Sequence, residues 1–516
     1  MTVDPRTPVL VGVGQTVSHW RAGDAGDAPS PQSLRQGATR TALADSGVAE
    51  SLAATIDRVV VVRTMLDSVP GAPQPFGRCA NPPATLAADC GLSPRDTIYS
   101  VVGGDQPQTL VNAAAAAIYA GDCRAILLSG AEATAAMKAA LKAGITLDWS
   151  TSAEGECDDR GLGPMLLSPY EIANGLGAPT QTYPAFEHAL AARLGHDRAA
   201  HRALMSKLWA GFSRVAARNP FAQFPVARDE AFLSAPSAEN YPLADPYLKW
   251  DVAQDAVNQG AALILTSAGE ADRLGIAETK RVYLHGHASA KDRTPSERPD
   301  LSRSLATDLV LRQTLEGSGC TIADIAHIDL YSCFPVAVLL AAETLGLDPV
   351  ANPEGLTLTG GLPFFGGAGN NYSMHAIAEA VARCRTNPGS RALVLANGGF
   401  LSKEAAGVYS TAPLPGWQPQ SSAAIQAECD AQAHPPLLSE DTEGTLETFT
   451  VTYAKGEAQR GYAFLRTDDD ARILARTAKG EAALLAAATR KGVAGQRFRV
   501  RHSDGVNTLA FDGDAR

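Results

Sequence analysis

The stretch Gly103–Gly130 reads GGDQPQTLVNAAAAAIYAGDCRAILLSG, and Gly366–Gly399 reads GGAGNNYSMHAIAEAVARCRTNPGSRALVLANGG. Each begins on a glycine pair with small polar residues and continues as an Ala-rich helix. Each then reaches an Arg-Ala step and a short apolar strand closed by glycine. The strands from Ala125 and Ala392 are unbroken apolar runs, the pattern of strands covered on both faces. Ala-rich helices with few polar positions suit a layer buried between two sheets.

Working outward, the same order recurs upstream of each stretch. PVLVGVGQT from Pro8 matches RVYLHGHAS from Arg281, and IDRVVVV from Ile56 matches IAHIDLYSCF from Ile325. This predicts two copies of one α/β unit, residues 1–270 and 275–412, layered on each other. The first copy carries an insertion over about 137–247, whose PTQTYPAFEHALAARLG segment and basic run His196–Arg218 predict a helical lid. From Leu414 the texture changes. PLPGWQPQSS is a linker, and LETFTVTYAKG, GYAFLRTD, ARILARTA and RFRVRHSD are short alternating strands between turn residues. They predict a small β-rich, OB-like domain over 420–516.

Composition narrows the function. The chain has 516 residues, 45% hydrophobic and 19% charged, which excludes disordered and fibrous classes. With 44 Lys plus Arg against 55 Asp plus Glu, the net charge of −11 disfavours nucleic acid and anionic membranes as partners. Arg497, Arg499 and Arg501 alternate along one strand and read as a solvated face. The eight cysteines form no CxxC pair, which argues against a zinc ribbon or redox motif. Reduced thiols, a polar N-terminus and no long apolar run together imply a cytoplasmic protein with no membrane span. His285 and His287 alternate on a strand without a carboxylate or Cys at ligand spacing, so no metal site is expected.

On these segments, together with DVAQDAVNQGAALILTSAGE (Asp251–Glu270) and the Gly360–Asn371 run, residues 1–412 resemble the thiolase superfamily. The likeness is strongest to the sterol-carrier-type branch whose members carry an additional C-terminal domain. It implies a duplicated α/β/α/β/α core and an acyltransferase resembling acetyl-CoA acetyltransferase. Coenzyme A would enter as a substrate moiety rather than a resident cofactor. Homodimerisation is the family default, and a monomer is the alternative if the extra domain covers that face.

The catalytic motifs depart from the family. The nucleophilic cysteine is Gly104, and the Asn-Glu-Ala-Phe or His-Asp-Cys-Phe loop is Tyr331-Ser332-Cys333-Phe334. The Gly-His-Pro motif is Gly366-Gly367-Ala368, and Cys-x-Gly is Asn397-Gly398-Gly399. Thiolate, imidazole and second thiol are missing together, which argues against thiolysis through an acyl-cysteine. What remains is a set of candidates. Gly104, Gly366, Gly367 and Gly398, with Asp105 and Asn371, would cradle a thioester oxygen through helix N-terminal N–H groups. Tyr331 and Tyr372 are candidate acid–base groups, as in thiolase-like aldolases. Cys333 is a displaced thiol that His375 could serve, and Asn397 an amide donor. Arg198, Arg202, Lys207, Arg214 and Arg218 could neutralise CoA phosphates. Three functions stay open: C–C chemistry beside a CoA thioester, a Tyr-dependent retro-aldol lyase, and a non-catalytic acyl-CoA binder.

Overall fold

A computed structural model describes residues 3–492 and 495–511. The strands expected from the repeat are all present and share one ten-stranded sheet. In the first half, Pro8–Val17 pairs antiparallel with Asn258–Ser267, which pairs antiparallel with Ala125–Ala133, which runs parallel to Ile56–Val61. The second half repeats this. Val282–Lys291 pairs antiparallel with Lys403–Ser410, then Arg391–Gly398 antiparallel, then His327–Leu330 parallel. The halves meet where Val9 and Leu10 pair with Tyr283 and Val282.

The two Ala-rich helices, Gln106–Ala120 and Tyr372–Thr386, lie in the middle. Val111, Ala115 and Ile118 of one and Met374, Ile377 and Val381 of the other share a single apolar cluster with strands of both halves. Small Ala side chains let helix and sheet approach closely, and Gly121 ends the first helix with φ 81°. The layered, duplicated α/β core is therefore as the repeat implied.

The insertion differs from a lid. Its helices Pro179–Arg193 and Arg198–Arg218 bury Tyr183, Phe186, Trp209 and Phe212 completely. These side chains join the cluster of Phe334, Val336 and Leu340 in the second half. The insertion is a wedge driven into the core, because its aromatic residues need a partner face that a lid could not offer. It also supplies the end strand of the sheet: Asp158–Asp159 runs parallel to Asp96–Tyr99, and Asp159 pairs with Arg63.

The C-terminal strands Thr442–Ala454, Glu457–Arg466, Arg472–Arg476, Val506–Ala510 and Arg497–Ser503 pair in that spatial order, and the last returns to the first. The result is a closed five-stranded barrel filled by Phe449, Val451, Leu465, Ile473 and Leu509. Arg499 and Arg501 face solvent, and Arg497 pairs with Asp468 and Glu443. Among the described residues no helix is long and apolar enough to cross a membrane.

Candidate functional site

The four motif segments meet at one end of the central helices. Gly103, Gly104 and Asp105 precede helix Gln106–Ala120, and Gly366, Gly367 and Asn371 precede helix Tyr372–Thr386. Tyr331 and Cys333 sit between strand His327–Leu330 and helix Pro335–Thr344, and Asn397 and Gly398 end strand Arg391–Gly398.

The Tyr331 phenol fills the space beside Gly104. A Cβ built on Gly104 would lie 2.8 Å from the Tyr331 Cζ, closer still to its hydroxyl, and 2.5 Å from the Asn397 carbonyl oxygen. The Tyr331 ring packs edge-on against Tyr372 with centroids 5.4 Å apart. Burial holds the Tyr331 phenol well above its ordinary pKa, and the Cys333, Asp105 and Glu404 groups push it the same way. Asn397 Nδ2 donates to Tyr183 Oη at 3.3 Å and approaches Cys333 Sγ at 3.8 Å. Burial raises the Cys333 thiol to about 12. The same cause raises the buried carboxyls of Asp105 and Glu404, each with one oxygen lacking a partner. Lys403, also buried, gives its ammonium to the Val102 carbonyl at 2.8 Å, and burial lowers its pKa. The centre is buried, and every ionisable group in it is biased toward its neutral form.

The other expected residues are committed elsewhere. The Gly367 N–H donates to the Gln254 carbonyl at 2.8 Å, and that of Gly103 to Asn370 Oδ1 at 3.1 Å. A Cβ on Gly398 would lie 3.0 Å from the Gly104 nitrogen and 3.1 Å from that of Asp105, so the helix N-terminus faces this glycine. Gly366 packs against Gln259 and Val257. Asn371 Nδ2 donates to the Gly130 carbonyl at 2.8 Å. The Tyr372 hydroxyl pairs with Thr359 at 2.5 Å, turned toward Asp329 and not toward Gly104. His375 bonds Gln15 at 2.8 Å and does not meet Cys333. His285 bonds the Ala412 carbonyl, and the described residues hold no cluster of metal-binding side chains.

Four of the basic residues expected to meet phosphate are paired: Arg198 with Asp245, Arg202 with Asp251, and Arg214 and Arg218 with Glu354. Two cations missed in the sequence have no acidic partner among the described residues. The Arg228 guanidinium lies 3.8 Å from the Trp250 ring centroid, and the Lys249 ammonium lies 5.0 Å from it. Arg228 Nε has no hydrogen-bond partner. This patch adjoins the centre through two threads of chain. Gln223 and Phe224 donate to the carbonyls of Phe365 and Phe364, next to Gly366, while Ala253 donates to the Cys333 carbonyl at 2.9 Å.

The additional-domain family model for thiolase-like proteins of type 1 matches residues 424–505. No curated protein matches the chain. The crystal structure of a monomeric SCP2-thiolase-like protein type 1 from Mycobacterium smegmatis is 37% identical, covers 99% of this chain and 100% of that one, and superposes with a TM-score of 0.83. An Ltp2-ChsH2(DUF35) aldolase is similar in fold at 19% identity and TM-score 0.57, over 79% of this chain and 99% of that one. The acetyl-CoA acetyltransferase of Syntrophomonas wolfei shares the fold at 14% identity and TM-score 0.55, over 80% and 100%. The likeness at 37% identity runs the length of both chains, and this chain belongs to the SCP2-thiolase-like proteins of type 1.

Proposed function

We propose that this protein binds a coenzyme A thioester as its substrate and acts next to the thioester carbon without forming an acyl-cysteine. The observation that carries this is the Arg228–Trp250–Lys249 patch. Two cations without an acidic partner among the described residues stand beside one indole and offer positive charge to the phosphates of such a ligand. The patch lies three residues along the chain from Ala253, whose N–H holds the Cys333 carbonyl. The transferase assignment comes from the family. The acid–base reading favours Tyr331, because its hydroxyl stands at the missing nucleophile, while Tyr372 is held by Thr359. A monomer is the expected working form, supported by the monomeric relative.

Calorimetric titration with CoA and acetyl-CoA tests the binding. Arg228→Ala and Lys249→Ala are each expected to weaken it about tenfold, the loss of one charge-assisted contact. No heat from the parent protein at millimolar ligand overturns the proposal. Tyr331→Phe is expected to leave CoA affinity in place and to lower carbon–carbon cleavage of a 3-hydroxyacyl-CoA about 100-fold or more. Cleavage unaffected by the change removes Tyr331 from the chemistry. CoA binding with neither thiolysis nor cleavage identifies a non-catalytic binder.

A further inference from the structure

We infer that the C-terminal barrel is a positioning element of the buried centre, acting through Arg472 and Arg298. Arg472 belongs to a barrel strand, yet its side chain is fully buried. Its guanidinium donates to the carbonyls of Ser296 (3.0 Å) and Arg298, while Glu447 holds its Nε at 2.8 Å. Arg298, 1% exposed, continues the line into the core. It donates to the carbonyls of Phe400 at 2.9 Å and Leu401 at 2.5 Å. Leu401 has φ 55°, a conformation a branched side chain adopts only where the surroundings fix it. That turn aims the Leu401 N–H at Tyr183 Oη, 2.9 Å away, and Tyr183 Oη in turn receives Asn397 Nδ2.

The barrel also grips Tyr183 from the other side. Helix Pro179–Arg193, which carries it, is held by Thr448 on the Ala185 carbonyl, by Tyr462 bonded to Gln181, and by Phe449 stacked on His188 at 4.1 Å. Two routes leave the barrel, one through two buried arginines and one through a helix. They converge on the hydroxyl that touches Asn397 beside Cys333. A domain that merely covered the core would need neither. Arg472 and Arg298 are positioning residues, since neither contacts Tyr331, Cys333 or Asn397 directly.

The test uses the whole chain without CoA, so its failure is separate from that of the binding proposal. Native N-ethylmaleimide labelling is followed peptide by peptide, with Cys333 measured against Cys320, a half-buried thiol whose hydrogen bond is to Ser318. Lysine keeps the charge but cannot span the same carbonyls. Arg298→Lys and Arg472→Lys are therefore expected to raise the Cys333-to-Cys320 ratio about tenfold, as expected for losing a charge-assisted hydrogen bond. Arg497→Ala, on the exposed barrel face, is expected to leave the ratio unchanged. Should Arg472→Lys fail to fold, Glu447→Gln loosens the same guanidinium with its shape kept, and the same rise is expected. A lower melting temperature with an unchanged ratio means that the barrel only packs, and the inference falls.

Discussion

Replacing Gly104 by cysteine is expected to destabilise the protein rather than to restore a thiolase nucleophile. The new Cβ would meet the Asn397 carbonyl oxygen at 2.5 Å and the Tyr331 Cζ at 2.8 Å, with the phenol oxygen nearer still. Neither neighbour can yield cheaply. Asn397 sits in a ladder paired with Glu404, and Tyr331 is packed against Tyr372. Overpacking against backbone in a close-packed interior costs about 3 kcal/mol or more. Denaturant unfolding of Gly104→Cys should show that loss. Gly104→Cys combined with Tyr331→Ala should recover part of what the two single changes sum to, because the phenol is one of the two obstacles. The carbonyl remains, so recovery is incomplete. A Gly104→Cys protein as stable as its parent, and acylated by acetyl-CoA in a mass spectrum, would sink this account of the centre.

Most of the core was legible because its physics is local. A strand covered on both faces must be apolar throughout, and a helix between two sheets must be small on all sides, so the two Ala-rich stretches carried their own address. The barrel was legible through its alternation. What escaped was anything decided by partners far along the chain. Pro179–Arg218 reads as a helical lid until Trp209 is seen packed on Phe212 and Phe364. Asp158–Asp159 carries no strand pattern at all, yet it adds the end strand of the sheet. Arg472 lies in a run that looks half-exposed, and it is buried because the Ser296–Arg298 carbonyls supply its hydrogen bonds.

The site was legible by position and less so by direction. Lining up the family motifs brought Gly104, Asp105, Tyr331, Cys333, Asn397 and Gly398 to one place. It could not tell that Tyr372 turns to Thr359, or that the Gly367 N–H is taken by Gln254. Glu404 carries a signal in the sequence: Lys403-Glu404 is a charged pair opening a strand that continues as AAGVYS. The cations left without an acidic partner had no such signal. Arg198 and Arg202 look as free as Arg228 in the sequence, and only the fold shows that they meet Asp245 and Asp251.

His375 should make the protein sensitive to acid. The ring is fully buried on the second central helix, with Nδ1 bonded to Gln15 and Nε2 without a partner. Burial alone lowers its pKa to about 3. The unfolded chain takes up this proton near pH 6.5, while the folded chain resists until far lower. Stability from this group is therefore present above about pH 6.5 and drains away as pH falls toward 3. Between pH 7 and pH 4 the loss amounts to about 3 kcal/mol. His188 and His287, each lowered by burial to about 4, act in the same direction. The buried carboxyls of Glu132 and Asp329, raised by burial to about 8 and about 6, act oppositely, so the parent's own pH slope mixes both signs. The informative quantity is the difference from His375→Gln, whose amide can still donate to Gln15 but takes up no proton. Urea unfolding at pH 7, 5 and 4 should show the variant losing about 3 kcal/mol less than the parent over that range. Equal losses would mean that the imidazole is protonated inside the fold, and that the layer between the sheets is far wetter than its packing implies.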